Sequence, residues 1–191
     1  MGADKAGLAW AGTTLLARTL DVLAAAVDGP LVVVGAPDRA LPAVPDGVRV
    51  VADAVPGRGP LQGLATGLAA VRAGAAFVCA TDLPFLHPAF VRRVLAALGP
   101  GVEAVLPHVR GHPQPLAAAY RTALAPVAAG LVEAGERRAG ALARAARTTV
   151  LDEAALLADP GLAAADPDLR SVVSVDDPAS LRSAREWHGR L

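Results

Sequence analysis

The 191-residue chain balances 18 basic against 18 acidic residues, so no net field steers it toward nucleic acid or an anionic membrane. Its single cysteine, Cys79, excludes an internal disulfide and a cysteine-based zinc site, and fits a reducing cytoplasm. The composition is 53% apolar, yet no run approaches the ~20 residues that span a bilayer, which predicts a soluble single domain over residues 1–191.

The chain opens "MGADKAGLAW", where no apolar stretch follows the positive charge, so it is not a targeting segment. From Thr13, "TTLLARTLDVLAAAV" sets Leu15, Leu16, Leu20, Leu23 and Val27 at helical spacing behind a threonine cap, and Gly29-Pro30 ends the helix. "LVVVG" and "VRVVAD" read as short strands, the second closing on Asp53; strands apolar on both faces suit a parallel sheet covered by helices. "AVPGRGP" can be neither helix nor ladder and leads into a helix, "LQGLATGLAAVRAG". "AAFVCATDLPFL" is a buried strand closing on Asp82 and broken at Pro84, and "HPAFVRRVLAALG" is a helix with proline in its first turn. Beyond it, "VEAVLP", "PLAAAY", "TTVL" and "SVVSV" read as strands, "RTALAPVAAGLVEAG" and "RAGALARAAR" as helices, and residues 152–170 as helical turns and loop. Strands alternating with helices predict an α/β fold with a mostly parallel sheet, undivided by any long linker.

In open α/β sheets ligands bind beyond the carboxyl ends of the strands. Asp53 and Asp82 both fall there, and between them "PGRGPLQG" supplies Gly57, Gly59 and Gly63, whose backbone can approach a ligand closely. Either carboxylate can serve as a magnesium ligand, but from spacing alone the favoured reading is that Asp82 caps the turn that follows it and Asp53 caps a loop. The glycine segment matches neither a P-loop nor GxGxxG. His108 and His112 are four apart, but Gly111 and Pro113 oppose a helix that would bring them together as a metal site. Cys79 reads as an inert thiol inside an apolar strand, and there is no GxSxG elbow. The pairs Arg92–Arg93 and Arg137–Arg138 read as solvated helix faces, and the aromatics are too scattered for a base-stacking platform.

Several segments together resemble the molybdenum cofactor guanylyltransferases (MobA-like) of the nucleotidyltransferase superfamily. "MGADKAGL" matches the last part of that family's LAGGxSxRMGxDKxxL signature. "GPLQGLATGL" resembles its GPLxGL segment, "ATDLPFL" its CDxPF strand end, "GHPQPLAAAY" its GxPxPLxAxY stretch and "AGERR" its later Gly-Glu-Arg segment. The resemblance runs from residue 1 to about residue 181, in order and at similar spacing. It implies a single-domain, Rossmann-like three-layer fold whose first strand and glycine-rich phosphate turn are missing, leaving the sheet with an open apolar position. It implies that Lys5 contacts the nucleotide phosphates, that Asp82 holds Mg²⁺, and that Asp53 lies near the guanine and ribose. Gly59, Pro60, Leu61 and Gly63 then shape the base pocket.

The implied reaction joins GTP to molybdenum-molybdopterin and releases pyrophosphate, with molybdoenzymes or their chaperones as transient partners. The implied catalytic pair is Lys5 and Asp82, and no general base is needed, because a phosphate nucleophile is already ionised. "TDLPF" favours guanylyl over cytidylyl transfer, whose members resemble GDQP there. Cytidylyl or another nucleotidyl transfer, or a non-catalytic cofactor-binding remnant, are the competing expectations. Finally, the family's NxNTPxDL stretch reads "SVDDPASL" here, with Ser174 and Asp176 in place of both asparagines.

Overall fold

The computed structural model describes residues 5–37, 40–53 and 57–188; Met1–Asp4 of the "MGADKAGL" match and residues 54–56 of "AVPGRGP" lie outside the described residues. The chain enters through a 3-10 turn, Lys5–Gly7, and a hairpin of β1 (Ala9–Trp10) and β2 (Thr13–Thr14). Its tip residues Ala11 and Gly12 both have positive φ, at 45° and 83°, as a type I′ turn requires. Thr14 then caps α1 (Leu15–Ala26), its Oγ1 accepting the Ala17 N–H at 3.2 Å. β3 (Val32–Gly35) and β4 (Arg49–Ala52) pair in parallel, Val32 opposite Arg49. α2 (Pro60–Ala70), β5 (Ala75–Cys79) and α3 (Pro88–Ala96) follow.

β6 (Ala104–Val109) turns through Arg110 and Gly111, both at positive φ, into β7 (His112–Pro113) and then β8 (Ala117–Arg121). α4 (Ala125–Glu133) and α5 (Gly140–Ala145) precede β9 (Thr148–Leu151). α6 (Glu153–Leu157), α7 (Pro160–Ala165) and α8 (Pro178–His188) complete the chain.

The larger sheet runs β5-β8-β6, with β7 and β9 also on β6. Its side chains alternate between two cores. Phe77, Val105, Ala117 and Ala119 face α3, α6 and α7, where Phe90, Val91 and Val94 are fully buried. Ala104, Ala118 and Tyr120 face α2, α4 and α5, where Leu61, Leu64 and Leu142 are buried. Three layers result, as expected.

A mostly parallel sheet holds for β3–β4 and β6–β9 and fails at β8, which runs antiparallel to both β5 and β6. Residues 110–116 between β6 and β8 are too few for a crossover, so the chain can only fold back. "SVVSV" is not a strand. The N–H groups of Arg170 and Ser171 donate to the Asp166 carboxylate at 2.7 and 2.9 Å, and residues Arg170–Val172 form a 3-10 turn. A local side chain has taken the donors that a ladder would need. His108 faces Pro113 and His112 faces Val109 across the β6–β7 hairpin, which puts the two imidazoles on opposite sides of it. Among the described residues no group of His, Cys, Asp or Glu could hold a metal by itself, and no helix is long and apolar enough to cross a membrane.

The expected open position is present. β3 pairs only with β4 and β5 only with β8 among the described residues, and an apolar slot of about 440 Å³ lies between them. Its walls run from Leu31 to Val34 and from Ala75 to Thr81. The bonds Ala80 N to Leu116 O and Thr122 N to Gly74 O assign the even residues of β5 to β8. The peptide groups of Ala75, Phe77 and Cys79 therefore face the slot. On the other wall, Asp53 N to Gly35 O and Arg49 N to Leu31 O leave those of Val32 and Val34 facing it. Accordingly no residue of β5 is fully buried, although helices cover both sides of its sheet.

Candidate active site

The Lys5–Gly7 turn joins the β3 ladder to the end of β5. Ala6 is buried with Leu16, Leu20 and Val33, while the Lys5 side chain reaches past the end of β5. Its Nζ donates to Asp82 Oδ2 at 2.8 Å and to Asp176 Oδ1 at 2.7 Å. Asp82 stands in the turn after β5, between the strand and the buried Leu83 and Leu86. Among the described residues no backbone N–H donates to its carboxylate, so it does not act as a cap on the turn. Its Oδ1 accepts from no described residue.

Asp176 arrives from far along the chain. The Val175 N–H donates to the Asp82 carbonyl at 3.0 Å, and the fully buried Val175 side chain packs with Trp10, Leu15, Leu181 and Ala184. This anchor lays Ser174–Asp176 beside Asp82. The Ser174 hydroxyl donates to Asp176 Oδ2 at 2.7 Å, so both oxygens of Asp176 are engaged.

Burial by itself would lower the Lys5 pKa, but the hydrogen bonds to Asp176 and Asp82 outweigh it and leave the ammonium above its ordinary range. Asp176 is held below the usual carboxylate range by the Lys5 hydrogen bond first and by Ser174 second. Burial, with the nearby Asp82 charge, pushes the Cys79 thiol up to about 12. That agrees with an inert thiol.

The glycine loop joins the same end of the sheet. Gly59 sits at φ 81°, and a Cβ there would meet the Arg137 carbonyl oxygen at 2.9 Å. That oxygen accepts the Leu61 N–H at 3.1 Å, and the Glu136 carboxylate accepts the N–H groups of Arg137 and Arg138. The "AGERR" segment thus braces the "GPLQG" loop through backbone, a pairing that the separate motifs did not reveal. Pro60 and Gly63 line the slot together with Ala80 and Thr81, the two residues before Asp82. Leu61 turns its side chain into the core and supports the loop from beneath. Asp53 follows directly on β4, its N–H on the Gly35 carbonyl at 2.7 Å.

The structure therefore brings Lys5 and Asp82 into contact, sets Pro60 and Gly63 along the slot with Ala80 and Thr81, and places Asp53 just past the end of the neighbouring strand pair. Asp176 is the residue that sequence reasoning flagged as a departure without placing it at Lys5. Another available signal went unused: Lys5 is the only lysine in the 191-residue sequence, every other cation being arginine. A compact ammonium with three donors differs from a guanidinium fork, and its sole occurrence coincides with the site.

A family model described as the MobA-like NTP transferase domain matches residues 1–150. A probable molybdenum cofactor guanylyltransferase of Mycobacterium avium is 39% identical over 180 residues, covering 90% of this chain and 88% of that protein. A crystal structure of molybdopterin-guanine dinucleotide biosynthesis protein A from Archaeoglobus fulgidus superposes with a TM-score of 0.78 at 20% identity, covering 100% of this chain and 93% of the other. A Mycobacterium tuberculosis protein crystallised with manganese superposes with a TM-score of 0.60 at 23% identity, covering 95% and 91%. With this fold, this end of the sheet and these matches, the chain belongs to the MobA-like family of nucleotidyltransferases.

Proposed function

We propose that the chain transfers GMP from GTP to molybdenum-molybdopterin with release of pyrophosphate, using Mg²⁺. The observation that carries this reading is the sole lysine of the sequence held against Asp82 at the carboxyl end of β5. The M. avium relative named above as a probable molybdenum cofactor guanylyltransferase supports the choice of nucleotide and acceptor. Asp82 fits a hard divalent cation, because its donor is a carboxylate and its Oδ1 has no partner among the described residues. The manganese complex of the M. tuberculosis protein supports a divalent ion in this fold. When bound, the ion supplies charge neutralisation at the substrate phosphates.

The chain's own groups do the rest. Lys5 has three donors, two of them on carboxylates, which leaves one for a phosphate oxygen at the α-phosphate or leaving group. Gly59–Gly63 and Asp53 flank the site on the side of the base. The acceptor phosphate attacks already ionised, so no residue is needed to remove a proton.

The test is conversion of GTP and molybdenum-molybdopterin to the guanine dinucleotide by the purified chain, with pyrophosphate release followed in parallel. We expect dependence on Mg²⁺, preference for GTP over CTP, and loss of transfer by at least about a hundredfold in Asp82→Ala. The melting temperature of that variant should stay within about 4 °C of the parent. Undiminished Mg²⁺-dependent transfer in Asp82→Ala would overturn the assignment of Asp82, and preference for CTP would overturn that of GTP.

A further inference from the structure

We propose that Asp176 is a positioning residue for Lys5, holding the ammonium in place for substrate phosphate when Asp82 is engaged by the divalent cation. The inference rests on the reading of Lys5 and Asp82 as the phosphate and metal residues, and the experiment below separates the two.

The two carboxylates that share Lys5 are not equivalent. Asp82 keeps one oxygen without a partner among the described residues. Asp176 has both committed, Oδ1 to Lys5 at 2.7 Å and Oδ2 to the Ser174 hydroxyl at 2.7 Å. Asp82 is therefore the carboxylate that a cation can recruit, and Asp176 the one that stays on the lysine. A cation on Asp82 competes with the Lys5 ammonium for the same carboxylate. Without a second anchor the flexible four-carbon side chain would swing away from the like charge.

Asp176 has the geometry to prevent that. Its backbone is tied to Asp82 itself through the Val175 N–H, so it moves with the site, and the buried Val175 fixes the direction of the loop. Ser174, one residue before Val175, locks the Asp176 carboxylate rotation. An asparagine at position 176 could still accept a hydrogen bond from Lys5 but would bring no charge, so the aspartate adds an electrostatic tether to a contact that hydrogen bonding alone makes weaker. The Asp176 side chain is 66% exposed, so replacing it should not disturb the core.

Because the sequence has one lysine, protein labelled with ¹⁵N at lysine Nζ gives a single ammonium signal and reports Lys5 directly. In the parent, that signal should lie away from the position of free lysine and should shift when Mg²⁺ and GTP are added. In Asp176→Ala, once Mg²⁺ is present, the signal should move to the free-lysine position. In Asp176→Asn it should fall between. Transfer by Asp176→Ala should lose roughly 10- to 100-fold in kcat, with a much smaller change in KM for GTP, and asparagine should recover part of the loss. Ser174→Ala should show a smaller loss of the same kind.

A Lys5 signal in Asp176→Ala that matches the parent with Mg²⁺ present would overturn the positioning role, whatever the activity. A parent signal that does not respond to Mg²⁺ and GTP would instead overturn the reading of Lys5 as a phosphate residue. Equal loss in the alanine and asparagine variants together with a lowered melting temperature would mark Asp176 as structural only.

Discussion

Lys5 draws its importance from the company it keeps: one ammonium, half-buried, between two carboxylates that come from positions 77 and 171 residues away. The signs of the two pKa shifts fix the range over which this group works. Asp176 is depressed, so its contribution is present above the ordinary carboxylate value near pH 4 and is lost as acid titrates it below that. Lys5 is raised, so its contribution is fully present below about pH 10.4 and disappears only as pH climbs through the higher folded value. In the metal-free chain the ¹⁵N signal of the Lys5 ammonium should therefore show no deprotonation up to about pH 10. A titration midpoint near pH 9 would contradict this. Cys79 supplies a second test at the same scale. With its thiol near 12, about one molecule in ten thousand is thiolate at pH 8, so alkylation should run roughly a thousandfold slower in the native chain than in denaturant.

Between elements, two glycines of one loop make opposite predictions. Gly59 has positive φ and no room for a Cβ beside the Arg137 carbonyl, so Gly59→Ala should cost about 1–3 kcal/mol, read as a shift in the urea midpoint. Gly63 lies in α2 with nothing within 4 Å of a built Cβ, so Gly63→Ala should leave stability unchanged or raise it by up to about 1 kcal/mol. A loss at both positions would refute this account of the loop.

The elements also show what could be read in advance. Thr14 capping α1, Pro88 opening α3 and Asp82 closing its strand are local chemistry, and local chemistry is written in neighbouring residues. The direction of β8 is not, because a strand has the same period of two whichever way it runs. "SVVSV" has the composition of a strand, and only the position of Asp166, five residues before Ser171, explains why it is not one. The motifs mark Lys5 and Asp82 as candidates, and the structure brings the two into contact. The Lys5–Asp176 pair was not legible in advance, since it depends on how α8 and Val175 dock against the N-terminal hairpin.

Across the whole molecule, the sheet is divided. β3 and β4 form one ladder, β5, β8, β6 and β9 another, and the slot separates them. Helices span the division: α2 turns Gly67 toward Val34 on one side, where an added Cβ would lie 3.3 Å from Val34 Cγ2, and buries Leu61, Leu64 and Leu68 against the sheet on the other. The turn at Lys5 spans it at the top, with Ala6 buried beside Val33 and Lys5 paired to Asp82. The candidate site is thus built across the seam, one partner on each side.

The seam also has a signature in time. In β5 the amides of Ala76 and Val78 are tied into the ladder with β8, while those of Ala75, Phe77 and Cys79 point into the slot. Amide hydrogen exchange should therefore alternate along five consecutive residues, slow at the even positions and faster by roughly a hundredfold or more at the odd ones. A central strand normally exchanges uniformly slowly; this one should keep its protons at every second residue.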